Sequence, residues 1–308
     1  LLDALENKTS YYTIPGLCYR RGDVIFKNPK QILAGFGRSY MEDWIDWSTY
    51  RKRGNACWAI QTKRGCPLKC DYCSYPAIEG RRFRKRSAED VADEIEEVIK
   101  RVGPQTFEFV DSTFNAPPSH AIRLCEEIIR RKIKANFTAM GVNPIATSPE
   151  LFSAMKRAGF NSMMVTPESA SDTMLASYKK DFQMSKVYDT VRYIRESGIH
   201  STWFFMLGGP GETQETVNET IRFVETELAD NNMMSIFIVG IRIFSGTGVA
   251  RTALKEGWLK PDTDLSQPTF YISPHVSEDW MIQRINQAVQ KTPYVVLAAN
   301  EGQTFVEL

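Results

Sequence analysis

No apolar run in this 308-residue chain approaches the roughly 18 residues needed to span a bilayer. Residues 1–15 also lack the basic start and apolar stretch of a secretion signal, so a soluble, cytoplasmic protein with no membrane span is expected. An excess of one charge sign is missing as well. The formal charge is +1, which gives no bulk attraction to nucleic acid or anionic lipid. Histidine is scarce, and His120, His200 and His275 each stand alone, as surface or satisfied core residues do. The six cysteines do not make a disulfide framework in a chain of this size. Three of them crowd into eight positions, which suits metal binding in a reducing compartment. Cys18, Cys57 and Cys125 lack that spacing and read as small core or surface thiols.

What is present is an α/β rhythm. Short apolar runs at 58–62, 107–111, 135–139, 162–166, 202–207 and 234–241 alternate with amphipathic segments. Runs that are apolar on both faces suit parallel strands covered by helices. The helices carry start and stop signals: Ser87 with Asp90, then Gly103-Pro104; Ser148-Pro149-Glu150, then Gly159; a helix over 185–197 before Gly198; and one over 213–228. No Gly-x-Gly-x-x-Gly follows the first strand, which argues against a dinucleotide-binding sheet. The expected fold is a partial (β/α)6 TIM-type barrel over residues 57–257, with chemistry at the C-terminal strand ends. Residues 1–56 form an N-terminal linker and hairpin segment. The chain opens at Leu1 rather than Met, and its first residues read as a helix end and a short hairpin, like the tail of a larger protein's linker. Residues 258–308 break the rhythm with Pro261, Pro268 and Pro274 before a helix near 278–289. That C-terminal extension, with Tyr271, His275 and Trp280, either closes the barrel floor or caps its mouth.

The strongest local feature is RGCPLKCDYCSYP, directly after the first strand. Cys66, Cys70 and Cys73 are separated by three and then two residues, so one tight loop can aim three soft thiolates at one centre. A structural zinc site needs four ligands, and no fourth Cys or His lies at finger or knuckle spacing. Three thiolates on a four-iron cluster leave one iron open for chemistry.

This Cys-x3-Cys-x2-Cys spacing, with aromatic Tyr72 before the last cysteine, resembles the signature of the radical S-adenosylmethionine (SAM) superfamily, and the resemblance extends over about residues 57–257. It implies a 4Fe-4S cluster whose open iron is chelated by SAM. Reductive cleavage then gives methionine and a 5′-deoxyadenosyl radical, with Tyr72 among the cofactor-binding residues. In FVDSTFN, Asp111 and Ser112 lie where the family's second-strand motif meets the SAM amino group, by backbone contact in the absence of a Gly-Gly-Glu form. VTPESAS resembles a fourth-strand motif, which assigns Glu168 and Ser169 to the ribose or methionine part of SAM. Twelve residues on, Lys180 is placed on the SAM carboxylate, with Lys179 as its competitor. MLGGPGET resembles the family's Gly-rich turn after strand five; a plain turn with a Thr cap is the equal alternative. Trp203-Phe204-Phe205 stands where relatives carry an acidic ribose contact.

GIRIFSGT resembles the sixth-strand Pro-Gly-Thr stretch of the branch whose members carry an N-terminal cobalamin-binding domain, with Ser245 in place of Pro. Arg242 there is either a contact for an anionic group or a buried structural residue. No Asp-x-His-x-x-Gly motif is present, so cobalamin is expected from a domain not in this chain, or not at all. The basic run RRFRKR at 81–86 reads first as a solvated loop, then as a contact for substrate or an electron donor such as flavodoxin or ferredoxin, and last as a nucleic-acid contact. Three functions follow. The first is a radical SAM enzyme that abstracts hydrogen from, or methylates, a small organic substrate of natural-product or lipid type. The second transfers the 3-amino-3-carboxypropyl group of SAM. The third is a non-catalytic iron-sulfur or zinc protein.

Overall fold

Seven parallel strands stand side by side in the order in which the chain makes them: β1 (Trp58–Ile60), β2 (Thr106–Phe109), β3 (Asn136–Val142), β4 (Phe160–Glu168), β5 (His200–Leu207), β6 (Met233–Val239) and β7 (Val295–Leu297). This is a computed structural model, and it describes residues 1–52, 56–104, 106–292 and 294–298. Each crossover steps to the adjacent strand, and among the described residues β1 and β7 are the two edges, as in a partial TIM-type barrel. Among the described residues no helix is long and apolar enough to cross a membrane.

The principal helices are α1 (Ala88–Arg101), α2 (Pro118–Arg130), α3 (Pro149–Ala158), α4 (Asp172–Ser177), α5 (Met184–Ser197), α6 (Gln214–Glu227), α7 (Gly248–Lys255) and α8 (Glu278–Lys291). Their starts are set by short polar side chains. Ser87, Ser148, Thr213, Thr247 and Ser277 each accept a first-turn backbone N–H, at about 1 kcal/mol of stabilisation apiece. Gly159 and Gly198 end α3 and α5 in left-handed geometry, with φ of 101° and 61°.

The strands bury alternate residues under these helices. In β5, Ser201, Trp203, Phe205 and Leu207 are buried, while Thr202, Phe204 and Met206 on the other face are only half-buried. Phe109, Phe114, Phe137 and Phe160 pack ring to ring at 5.2–5.7 Å on the covered side of the first four strands.

Three features differ from expectation. Helix α2 was not anticipated: it begins at Pro118 after Pro117, with no side-chain cap to announce it, although its Leu124, Cys125 and Ile128 are buried. Helices α4 and α7 lie where the sequence signals no helix. The C-terminal segment is neither a simple floor nor a simple cap. Its α8 buries Met281, Ile285 and Ala288, and β7 adds a seventh strand by pairing Ser235 with Val295. Phe270–Tyr271 forms a short antiparallel ladder with Ile241–Arg242 beyond β6.

Chain contacts divide the molecule into two units, Leu1–Phe36 and Gly37–Leu308. The first holds a short helix, Leu2–Glu6, and a hairpin pairing Cys18–Arg21 with Val24–Lys27, with Tyr19 stacked on Phe26 at 5.2 Å. Asn28 donates to the carbonyls of Tyr12 and Ile14 at 2.8 Å and fastens the segment that precedes the hairpin.

Candidate active site

The cysteine loop leaves the sheet just after β1 and is pinched shut at its neck. Lys63–Arg64 pairs antiparallel with Arg84–Lys85, which brackets residues 65–83. Gly65 sits at the pinch with φ of 85°, and a Cβ there would fall 2.2 Å from the Arg82 carbonyl oxygen. The Glu79 carboxylate accepts the Gly65 N–H at 2.9 Å, and Cys66 N–H donates to the Gly80 carbonyl at 3.0 Å. Asp71, between the second and third cysteines, fastens the far side of the loop. Its N–H donates to the Tyr178 carbonyl at 3.0 Å, and its own carbonyl accepts Gly248 N–H and Val249 N–H at 2.7 and 3.2 Å. Lys179 pairs with its carboxylate.

All three cysteines are free; Cys66 is buried, and Cys70 and Cys73 are partly so. Burial pushes the Cys70 thiol up and the Cys73 thiol up to about 11, and the repulsion of the neighbouring cysteines adds to both. Deprotonating the set is therefore costly until a cationic centre compensates. Among the described residues no three His, Cys, Asp or Glu side chains are grouped for a single metal ion. Zinc would draw its sulfurs to about 2.3 Å from one point. The donor set itself, three thiolates on one loop, fits an iron-sulfur cluster with one iron left open.

Beside the loop lies a buried polar triad. Lys180 Nζ donates to Tyr72 Oη at 3.0 Å, to the Thr166 carbonyl at 3.1 Å and to Glu168 Oε1 at 3.3 Å, which engages all three of its N–H bonds. Tyr72 in turn donates to Glu168 Oε1 at 2.9 Å. Burial, then the Glu168 charge, raises the Tyr72 phenol well above its ordinary range, so it stays a neutral donor. Glu168 ends β4 with φ of 71°, a conformation costing a non-glycine residue of order 1 kcal/mol. The Lys180 charge partly offsets the rise that burial imposes on the Cys70 and Cys73 thiols, which ties the triad to the cysteine loop.

The other expected residues are engaged elsewhere. Asp111 accepts from Thr62 N–H and Oγ1 at 2.7 and 2.6 Å, and from Lys63 N–H and Nζ at 3.1 and 3.0 Å. Its carboxylate is thus committed to holding the root of the cysteine loop, which leaves only backbone for a ligand. Burial lowers the Lys63 ammonium and the nearby Asp111 carboxylate offsets this; both side chains are fully buried. His120 stands 3.0 Å from Thr62 Oγ1, and burial followed by the Lys63 charge pushes it down to about 4, so it is a neutral imidazole. Ser112 Oγ donates to the Gly65 carbonyl at 3.2 Å. Ser169 Oγ meets Thr220 Oγ1 at 3.1 Å and accepts the Ser171 N–H at 3.2 Å. Arg242 is half-buried, with its guanidinium 5.2 Å above the Phe244 ring. In the basic run, Arg84 and Lys85 form the neck ladder and Arg86 is buried against Asp90 and Glu94, while Arg81, Arg82 and Lys85 remain exposed.

The sequence did not single out Tyr178 and Glu212. Tyr178 meets Tyr72 edge to face at 5.8 Å and donates to the Met206 carbonyl at 2.9 Å. Its ring fills the place of any side chain at Gly209, where a Cβ would lie 2.2 Å away. Glu212 is fully buried in the same Gly-rich turn and accepts from Gly208 N–H at 3.2 Å and from Thr216 Oγ1. Burial pushes it up to about 7. Thr213 caps α6 as the plain-turn reading requires. The available signal was a carboxylate inside a glycine-rich turn at a strand end.

The radical SAM superfamily profile matches residues 60–224. An uncharacterized methyltransferase of Pyrococcus horikoshii is 29% identical over 231 residues, covering 73% of this chain and 50% of that protein. The anaerobic magnesium-protoporphyrin IX monomethyl ester cyclase of Cereibacter sphaeroides is 28% identical over 217 residues, or 68% of this chain and 35% of the cyclase. The chain thus spans half or less of these relatives. Among solved structures, the radical SAM methyltransferase TsrM of Kitasatospora setae, with cobalamin and a [4Fe-4S] cluster bound, superposes with a TM-score of 0.79 at 20% identity, over 96% of this chain and 68% of TsrM. The cobalamin-dependent radical enzyme OxsB gives 0.67 at 13% identity, over 88% of this chain and 46% of OxsB. The matched residues run from the end of β1 through α6 and include the cysteine loop and the polar triad, and this chain belongs to the radical SAM superfamily, whose enzymes use a 4Fe-4S cluster and SAM.

Proposed function

We propose that this chain is the catalytic core of an enzyme that cleaves SAM reductively and uses the product to methylate, or abstract hydrogen from, a small organic substrate. The observation that carries the reading is the adjacency of the Tyr72, Glu168 and Lys180 triad to the cysteine loop. A 4Fe-4S cluster on Cys66, Cys70 and Cys73 would supply one electron and an open iron. Lys180 would take the carboxylate of the methionine part, exchanging one of its three present acceptors for it. Glu168, released from Lys180, would then accept from a ribose hydroxyl or the amino group while Tyr72 holds its position. Asp111 and Lys63 keep the loop root rigid and dry, so the cysteines are pre-positioned.

Methylation is favoured over other outcomes by the relatives named above, and cobalamin would come from a domain outside this chain, as the bound cofactor of TsrM and OxsB suggests. An electron donor of flavodoxin or ferredoxin type and a cytoplasmic setting complete the reading. The test is anaerobic reconstitution with iron and sulfide, reduction, and addition of SAM. The expected product is 5′-deoxyadenosine, or S-adenosylhomocysteine where methyl transfer consumes SAM. Methylthioadenosine would instead establish aminocarboxypropyl chemistry, and intact SAM beside a filled cluster would end the enzymatic reading.

A further inference from the structure

The fold separates the basic run at 81–86 and leaves Arg81 facing a surface cavity of about 480 Å³. Its other charged walls are Lys69, Lys179, Arg251 and Asp71, and Cys70 and Cys73 line it as well. Asp71 is already paired with Lys179, whereas Lys69 and Arg81 have no ion-pair partner among the described residues. The cavity is thus strongly cationic in a chain whose overall charge is only +1. Tyr75 and Ile78, on the short helix Tyr75–Glu79 whose Pro76 also lines the cavity, are 47% and 58% exposed. A cationic rim, a small apolar patch and two cluster-ligand cysteines therefore share one face.

This combination suits a transient partner better than a small ligand. Weak electron-transfer encounters bury little area and rely on charge for capture and orientation. Nucleic acid is disfavoured because Arg86 is buried in an ion pair with Glu94 and Arg84 is half-buried, which interrupts the basic stripe even though Lys85 is exposed. Resting on the radical SAM reading above, we infer that this face docks a protein one-electron donor with an acidic rim. The donor is oxidised by one electron and the cluster site is reduced by one, with Cys70 and Cys73 at the point of entry. No bond forms between the partners and no proton needs to move.

The test uses reconstituted protein and follows the bleaching of cluster absorbance in an anaerobic stopped-flow instrument. Reduced flavodoxin serves as the acidic protein donor and methyl viologen radical cation as the small donor. Lys69→Glu, Arg81→Glu and Arg251→Glu are each expected to lower the second-order rate with flavodoxin by about three- to tenfold, and rising salt should erase most of the difference. The rate with viologen should not fall, and iron per chain should match wild type. Arg251 stands on α7, outside the cysteine loop, so its variant decides the matter if Lys69→Glu fails to hold iron. Flavodoxin rates unchanged in the iron-loaded variants, or viologen rates that fall in parallel, would overturn the docking face. Failure of viologen-reduced wild type to cleave SAM would instead remove the radical SAM reading beneath it.

Discussion

Gly248 is the residue at which the cysteine loop can be tested with least disturbance elsewhere. It opens α7 and packs directly on Asp71: a Cβ at this position would lie 1.9, 2.0 and 2.1 Å from Oδ1, Cγ and Oδ2 of that side chain. An ordinary contact needs well over 3 Å, so Gly248→Ala must drive the Asp71 carboxylate from its place against α7, and the expected outcome is that the segment bearing it moves away as well. The separation breaks the two hydrogen bonds from Gly248 and Val249 to the Asp71 carbonyl, each worth about 1 kcal/mol. A loss of about 2 kcal/mol is roughly thirtyfold in the population of the fastened loop. Because Asp71 lies between Cys70 and Cys73, the deficit should appear as cluster loss before it appears as unfolding. The assay is iron and sulfide retained per chain after reconstitution and gel filtration, with a thermal melt of the iron-free protein as control. The atoms in the way belong to the Asp71 carboxylate, so Asp71→Ala combined with Gly248→Ala should recover iron to the level of Asp71→Ala alone. Wild-type iron retention in Gly248→Ala, or a double variant no better than the single, would refute the reasoning.

Other expectations follow from the same contacts. Lys180→Met should weaken SAM binding by tenfold or more in equilibrium dialysis while iron content holds, because it removes the cation that faces Glu168 and Tyr72. Lys63→Met strands the Asp111 carboxylate in the interior and should cost about 3–5 kcal/mol in urea unfolding, with much of it recovered when Asp111 is also made apolar. Glu212 gives a pH signature. Burial raises its folded-state value from 4.5 to about 7, so its contribution to stability is full below 4.5 and is lost as pH rises through 7. Glu212→Gln should therefore gain on wild type between pH 4.5 and 7, by up to about 3 kcal/mol in paired urea titrations; a constant difference would show that the carboxyl ionises normally.

Much of the fold was legible because its signals are local. Ser87, Ser148 and Thr213 each announce a helix within four residues of themselves, and six of the seven strands are short apolar runs between such helices. Helix α2 escaped because prolines start it without a capping side chain, and β7 because three residues carry no pattern apart from the strand beside them. The cysteine triplet was legible for the same reason of closeness in sequence. Tyr72, Glu168 and Lys180 were each flagged, but nothing in the sequence says that one hydrogen-bond network joins residues 108 positions apart. At Asp111 the strand-end place suggests a backbone contact with the ligand, whereas the engagement of its carboxylate by Lys63, 48 residues earlier, is a matter of tertiary packing that no local signal carries. A buried Glu212 runs against the usual exposure of acids, and its place in a glycine-rich turn at a strand end marks it only weakly until the burial is known.

The cysteine loop is tied at its neck beside β1, to Tyr178 beyond β4 and to α7 beyond β6. It therefore spans the curved sheet as a chord spans an arc. A chord keeps its length only while the arc keeps its curvature, and among the described residues β1 and β7 are the edge strands of this sheet. Any body that settles across the mouth and spreads or narrows the strand ends must change the tension on the loop, so the spacing of the cysteines becomes a gauge of what the rest of the sheet is holding.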